Sequence, residues 1–488
     1  MLVIMSTVDS SLQKNSHSQE ESLHQPLKTM ETCTNLSEGA SLLHEAAKLP
    51  QQPIMAERQR RNHYYVVDLL AALFGISAWL SINALYTQLP LLVQTSPEGW
   101  SLPSYLSVII QCANIGPLLY SLTHKFPSRS LRDSTLIMFL LMLGTVAMFT
   151  MSFYYTHTTE IFNESHSTPL FSLTFCFALV GCTSSVLFIP FMNNYPEIHL
   201  VSYLVGEGLS GLIPSIVSLV QGVGNSECEE IEVVNGTSVL EHVILPPLFS
   251  PKIFFLIIFS IMLCSTISFV LLNKLPTCKL MVDNTSVSNR SSTLENTNES
   301  DLQCDNTPES LPLSNASTLT PSLYCGLLLV QAVISMFANG ALPSIQSYSC
   351  LPYGNTAYHL AVNLSNMANP IACFIAFFLP RTSLVTIFSM SAFSVVTTVY
   401  AITTAVMSPY PPLQHQLVGL ILVVSCWILF SGMVSYVKLS IAAIFRREGG
   451  KGLFWYGAVT QTGAAIGSIA MFYFVNFTHL FQSYDPCS

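Results

Sequence analysis

Residues 64–93 read YYVVDLLAALFGISAWLSINALYTQLPLLV, residues 94–103 read QTSPEGWSLP and residues 104–122 read SYLSVIIQCANIGPLLYSL. The outer two segments each hold about 20 or more mainly apolar residues, enough as a helix to cross roughly 30 Å of hydrocarbon. Both are expected to be transmembrane helices, made antiparallel neighbours by the short turn at Pro97–Trp100. Amides interrupt them: Asn83 and Gln88 in the first, Gln111 and Asn114 in the second. Lipid offers a side-chain amide no partner. These groups are therefore expected to face protein or a water-filled path between helices.

The rest of the chain fits this reading. Of 488 residues, 50% are hydrophobic and only 9% charged, which leaves a multi-pass membrane protein as the class. The net charge of −9 resides mainly in tails and loops and gives no nucleic-acid footprint. No cleaved leader is expected, because MLVIM gives way at once to polar residues. Eleven apolar spans follow, near 64–92, 104–122, 134–154, 169–190, 200–223, 252–272, 322–343, 359–379, 383–407, 417–445 and 453–477. Residues 1–63 and 273–321, polar and poor in aromatics, are expected to be a disordered cytosolic tail and loop. They leave membrane halves at 64–272 and 322–488. The expected fold is all-α, with six plus five transmembrane helices in a major-facilitator-like or equilibrative-carrier-like arrangement, the substrate lying between halves.

Basic residues orient it. With the N-terminus in the cytosol, Lys125, Arg129, Arg132, Lys274, Lys279, Arg290, Arg381, Arg446, Arg447 and Lys451 all fall on the inner side, and only Lys252 falls outside. The C-terminus is then extracellular. Of the Asn-x-Ser/Thr sequons, Asn163 and Asn235 face the glycosylating side.

Glu207, in LVGEGLSGLIPS, is the one acid deep in a span. Either it titrates and couples pH to transport or contacts solute, or it makes a structural hydrogen bond between helices brought close by Gly206, Gly208 and Gly211. Asn339, with Asn363, Asn366 and Asn369 at intervals of three before Pro370, supplies amides in the second half. Trp79 lies one turn before Asn83 and offers either a ring beside an amide or simple packing. His359 is a second candidate for proton coupling, set against an interfacial hydrogen-bonding role. Lys438 and Asp68 are read as side chains reaching toward the membrane surface. No catalytic motif, metal-ligand cluster or cofactor signature is found, so neither enzyme nor cofactor is expected. No obligate protein partner is inferred; the partners are solute and membrane lipid.

Long ordered stretches resemble the animal riboflavin transporters of the solute-carrier class: residues 74–93 and 97–119, CTSSVLFIPFM (182–192), VGEGLSGLIPSIVSLVQGVG (205–224), ANGALPSIQSYSCLPYGNTAYHLA (338–361), AVMSP (405–409) and LFSGMVSYVK (429–438). The resemblance implies a plasma-membrane carrier importing riboflavin by alternating access. A flat aromatic ring with polar edges and a polyhydroxylated chain suits an amide-rich path almost free of charge, for which Trp79, Asn83, Gln111, Asn114, Glu207, Asn339 and Asn363 are the candidates. A carrier of another neutral heterocycle, such as a nucleoside, and a non-transporting receptor on a transporter fold remain as alternatives. Two departures stand out. Family members commonly carry Glu where this chain has Gln88, and Cys where it has Tyr410. The latter removes the loop partner of Cys487, so Cys228 with Cys350 is the preferred bridge.

Overall fold

A computed structural model describes residues 65–125, 132–161, 163–224, 226–233, 237–244, 246–275, 319–378, 383–447 and 450–483. Most of the expected tail and loop, and the sequon at Asn235, lie outside the described residues. Helices α1 (Tyr65–Ile76) and α2 (Leu80–Thr95) form one bent span. They are followed by α3 (Leu102–Cys112), α4 (Ile115–Lys125), α5 (Asp133–Tyr154), α6 (Thr168–Met192), α7 (Glu197–Gln221) and α8 (Pro251–Lys274). The second half opens with α9 (Pro321–Ser335), which runs through a π-helical turn (Met336–Ala341) into α10 (Leu342–Cys350). Helices α11 (Asn355–Phe378), α12 (Leu384–Val406), α13 (Leu417–Arg447) and α14 (Gly450–Phe477) complete it.

Among the described residues nine helices are long and apolar enough to span a membrane, ten with α1 and α2 taken as one span. Helix α11, 24 residues long, is not among them; His359, Asn363, Asn366 and Asn369 interrupt its apolar run. Proline opens several helices where a missing N–H costs nothing, as at Pro103, Pro169, Pro251, Pro321 and Pro343. Ser383 caps α12, its hydroxyl accepting from Thr386 N at 3.1 Å.

Each half is fastened by helix crossings that only glycine permits. A Cβ on Gly206 of α7 would lie 1.9 Å from the Ala72 carbonyl oxygen of α1, and one on Gly75 would lie 2.0 Å from that of Tyr203. The second half repeats the device: a Cβ on Gly467 of α14 would meet the Met336 carbonyl oxygen at 2.0 Å. The expectation that glycines near Glu207 allow close helix approach thus holds for Gly206. Beside the first crossing, Phe74 packs on Phe188, Tyr203 and Phe269 at 5.0, 5.3 and 5.0 Å, joining α1, α6, α7 and α8. The two halves meet along two seams, α2 and α7 against α11, and α3 against α10 and α14. Large apolar side chains such as Phe139 on α5 and Val385 on α12 stay exposed, as surfaces solvated by lipid require.

Two antiparallel hairpins were not anticipated in an all-helical chain: β1 (Thr159–Ile161) with β2 (Glu164–His166), and β3 (Ser226–Val233) with β4 (Thr237–Ile244). The signal lay in the Asn235–Gly236 pair between two stretches containing alternating β-branched residues. Asn163 is exposed in the turn of the first hairpin with φ 65, a conformation asparagine tolerates. The end bearing the hairpins is termed outer below.

The expected Cys228–Cys350 bridge is corrected. Cys350 is a free thiol with no solvent exposure. Its place at the end of α10 is packed inside the helix bundle, whereas the backbone of Cys228 belongs to β3.

Candidate substrate site

A cavity of about 560 Å³ lies between the halves. Its walls are helix faces with side chains three and four apart: Trp79 at the start of α2 with Ile82, Asn83 and Tyr86 within it; Leu204, Glu207, Gly208 and Gly211 from α7; Trp427, Phe430, Ser431, Val434 and Lys438 from α13. Eight side-chain amides line it, those of Asn83, Gln111, Asn114, Asn339, Gln346, Asn366, Asn369 and Gln461. Four rings, of Trp79, Tyr86, Trp427 and Phe430, accompany them. Among the described residues, Glu207 and Lys438 are the only charged side chains in the lining. Such a surface offers flat apolar contact, many neutral donors and acceptors, and little net charge.

Three of the expected residues stand where a helix breaks. Trp79 lies at the 49° bend between α1 and α2, where Ser77 and Ala78 bond back to Phe74 and Gly75 at 3.1 and 3.2 Å. Gly75 and Ser77 supply the small residues at which unprolinated helices bend. Asn114 sits between α3 and α4, and Asn339 lies in the π-helical turn. Such interruptions re-aim side chains and recur at functional sites. In α11, Pro370 has no N–H to offer the Asn366 carbonyl one turn earlier, and both residues line the cavity.

Local bonds hold the amides in place. Asn83 donates to Ser210 Oγ at 3.3 Å, and Ser210 to the Glu207 carbonyl at 2.6 Å. Asn114 donates to Gln111 Oε1 at 3.1 Å. Trp79 sits over Gly181, whose Cβ would come within 3.0 Å of the indole. Trp427 is fixed by its Nε1–H to Ser349 Oγ at 3.2 Å.

Other expected residues do not reach the cavity. Asn363 is fully buried and turns back to donate to the His359 carbonyl at 2.8 Å. It lies about 60° round α11 from Asn366, and Asn366 and Asn369 take the lining positions instead. His359 is likewise buried outside the lining, with Nδ1 3.2 Å from Asn363 Nδ2. Gln88 is sealed between helices, donating to Gln221 Oε1 at 2.7 Å, while Gln221 donates to the Phe249 carbonyl at 2.9 Å.

Two residues read as reaching for the surface do something else. Asp68 accepts from Ser202 Oγ at 2.8 Å and pairs with His199 Nδ1 at 2.7 Å, tying α1 to α7. Lys438 points into the cavity and donates to Asn339 Oδ1 at 2.7 Å. The available signal for Lys438 was register: it falls on the same face as Trp427, Phe430, Ser431 and Val434.

Toward the outer end the two halves touch. Ser347 Oγ donates to the Trp100 carbonyl at 2.6 Å and Trp100 packs edge-on against Tyr348 at 5.7 Å, a ring backed within its own half by Phe481 at 5.6 Å. Nearby, Asn476 donates to Ser104 Oγ at 2.9 Å, and the rings of Tyr105 and Phe472 meet at 5.0 Å. Glu98 anchors Trp100's loop to the first half, accepting from Ser167 N at 2.8 Å and Ser167 Oγ at 2.7 Å.

Comparison with known proteins carries the same residues further. The profile described as solute carrier family 52, riboflavin transporter, matches residues 63–483. The chain belongs to this riboflavin transporter family. It is 41% identical over 442 residues to solute carrier family 52 riboflavin transporter member 3-A of Danio rerio, covering 86% of this chain and 98% of that protein. It is 38% identical over 466 residues to the Homo sapiens member 3, with 87% and 98% covered, and 34% identical over 430 residues to a riboflavin transporter of Caenorhabditis elegans, with 86% and 98% covered. Among solved structures, a variant of the nucleoside transporter NupG matches with a TM-score of 0.50 and 10% identity, covering 84% of this chain and 92% of that one. At that identity the likeness is one of fold alone. The family is one of transporters, not enzymes.

Proposed function

We propose that this riboflavin transporter family member imports riboflavin across the plasma membrane by alternating access, with the substrate held in the cavity between the halves. The observation that carries the reading is the lining itself: four rings, eight amides and one charge of each sign around about 560 Å³. That volume lies within the roughly 300–1,000 Å³ usual for small-molecule sites. The isoalloxazine needs flat apolar faces, and the amides match its polar edges and the ribityl hydroxyls. Asn83, Gln111, Asn114 and Asn339 are assigned to substrate contact with Trp79, joined by Asn366 and Asn369 in place of Asn363. Glu207 is assigned to substrate contact or proton coupling.

The contacts joining the halves toward the outer end support reading this structure as the inward-facing member of the cycle. Counting α11 with the ten helical spans, six precede residues 276–318 and five follow, with the N-terminus cytosolic, the C-terminus extracellular and Asn163 and Asn235 glycosylated. Uptake of labelled riboflavin by cells or proteoliposomes containing the full chain tests the function. Accumulation that is saturable and competed by lumiflavin but not uridine is expected. Competition by uridine with equal strength points to a nucleoside carrier, and saturable binding without accumulation points to a receptor.

A further inference from the structure

Among the described residues Lys438 is the one cation lining the cavity, and none of their carboxylates pairs with it. Its ammonium donates to Asn339 Oδ1 at 2.7 Å, and the two residues approach from opposite sides of the second half, α13 and the π-helical turn. An ammonium can only donate, so this contact fixes which way the Asn339 amide points. Its oxygen turns to Lys438, and its NH₂ is left for something else. No hydrogen bond from Asn339 Nδ2 is found among the described residues. Lys438 spends one of three N–H groups on Asn339, leaving two.

The backbone around the pair is held. Tyr456 donates its hydroxyl to the Lys438 carbonyl at 3.1 Å, linking α14 to α13. A Cβ on Gly340, the residue after Asn339, would come within 2.5 Å of the Ala464 carbonyl oxygen, so the π-helical turn is pressed against α14. An ordered ammonium and an ordered amide NH₂ therefore stand side by side in a cavity otherwise lined by neutral groups and one carboxylate. Two adjacent donors recognise two adjacent acceptors.

We infer that Lys438 and Asn339 together read an acceptor-pair edge of the flavin ring, either the C4 carbonyl with N5 or the C2 carbonyl with N1, and that Lys438 serves by orienting Asn339 as well as by donating. This rests on the flavin reading above. It makes Lys438 a specificity residue for unsubstituted isoalloxazine, since replacing either ring nitrogen by CH removes one acceptor from an edge while leaving the flat shape.

The test is competition by riboflavin, 5-deazariboflavin and 1-deazariboflavin against labelled riboflavin, in cells expressing the full chain and corrected for surface protein. The wild type should bind one of the two deaza compounds about tenfold or more weakly than riboflavin. Lys438→Met and Asn339→Leu should each weaken riboflavin by about 10- to 150-fold, the range for losing a hydrogen bond to or from a charged group. The decisive readout is discrimination: in both variants the gap between riboflavin and that deaza compound should shrink to within about twofold, because the donor reading the missing nitrogen is gone or misdirected. A purely structural role would weaken all three flavins alike and leave the gap intact, and that result overturns the inference, as does equal binding of all three by the wild type. If Lys438→Met does not reach the surface, Asn339→Leu and Asn339→Ser carry the same comparison. A wild type that takes up no riboflavin removes the flavin reading and this inference together, whereas riboflavin uptake with unchanged discrimination in the variants removes only the latter.

Discussion

Replacing Gly206 with alanine probes the crossing of α1 and α7, which sets where Trp79 and Glu207 meet the cavity. The added methyl carbon would sit 1.9 Å from the Ala72 carbonyl oxygen, 2.8 Å from its carbon and 3.0 Å from Ala72 Cα. All three are backbone atoms, so no side chain can swing aside. Restoring even a 3.0 Å contact requires the helices to part by about 1.1 Å, at the cost of dispersion contacts around Phe74. Overpacking a tight interior costs about 1–3 kcal/mol where side chains can adjust, and backbone against backbone belongs at or beyond the top of that range. Two residues along the same helix, Gly208→Ala would place its methyl 3.6 Å from Pro370 Cβ, an ordinary contact. The expected outcome is that Gly206→Ala lowers surface expression and the thermal stability of the detergent-solubilised protein, while Gly208→Ala leaves both near wild type. Equal stability of the two variants would refute the crossing geometry.

Three further outcomes are expected. An epitope inserted at residue 290 should be reached by antibody only after permeabilisation and one after Ser488 should be reached in intact cells; surface labelling at residue 290 would reverse the topology. Asn83→Leu and Asn114→Leu should reach the surface yet weaken riboflavin by about 5- to 150-fold, as loss of a hydrogen bond worth about 1–3 kcal/mol implies, whereas Asn363→Leu should reduce stability, measured as the melting temperature, more than apparent affinity. Glu207→Gln keeps hydrogen bonding but cannot titrate, so uptake measured across pH should vary less than in the wild type; an unchanged profile would make Glu207 structural, with Lys438, Cys373, Cys182 and Tyr86 the other titratable groups among the described lining residues.

The sequence was most legible where one physical constraint dominated. An apolar run of sufficient length has few alternatives to a membrane helix, and amides inside such runs had to face something polar, so Asn83, Gln111, Asn114 and Asn339 were found before any geometry was known. Discrimination failed where two partners satisfy an amide equally well. Asn363 and Asn366 differ by less than one helical turn, yet one closes on His359 and the other lines the cavity; periodicity names a side of the helix, not which neighbour occupies it. Lys438 was misread for a related reason. Its distance from the helix end fits a side chain bound for the membrane surface, whereas its register with Trp427, Phe430, Ser431 and Val434, and the position of Asn339 on another helix, turn it inward. The hairpins were overlooked because a membrane-wide hydropathy signal says nothing about polar segments between spans. Asp68 belongs to the same class, since its partner His199 is 131 residues away.

The packing also bears on how the outer contacts between the halves could part. Within each half, backbone lies on backbone at the glycine crossings: Gly75 and Gly206 in the first, Gly463 and Gly467 in the second, where an added Cβ would be 1.9 to 2.3 Å from a carbonyl oxygen. Such surfaces cannot slide without a large steric cost. Between the halves the spacing is looser. Gly208 has room for a Cβ 3.6 Å from Pro370, Gly211 for one 3.5 Å from the Asn366 carbonyl oxygen, and the outer contacts consist of ring packing with a few hydroxyl and amide hydrogen bonds. Each such bond contributes only about 0.5–1.5 kcal/mol net. Each half is thus stiffer than the seam joining it to the other, the mechanical condition for rocking about a central site. Trp79 lies on the first half and Asn339 on the second, so in the proposed alternating-access cycle a ligand touching both would be gripped or released as the halves turn.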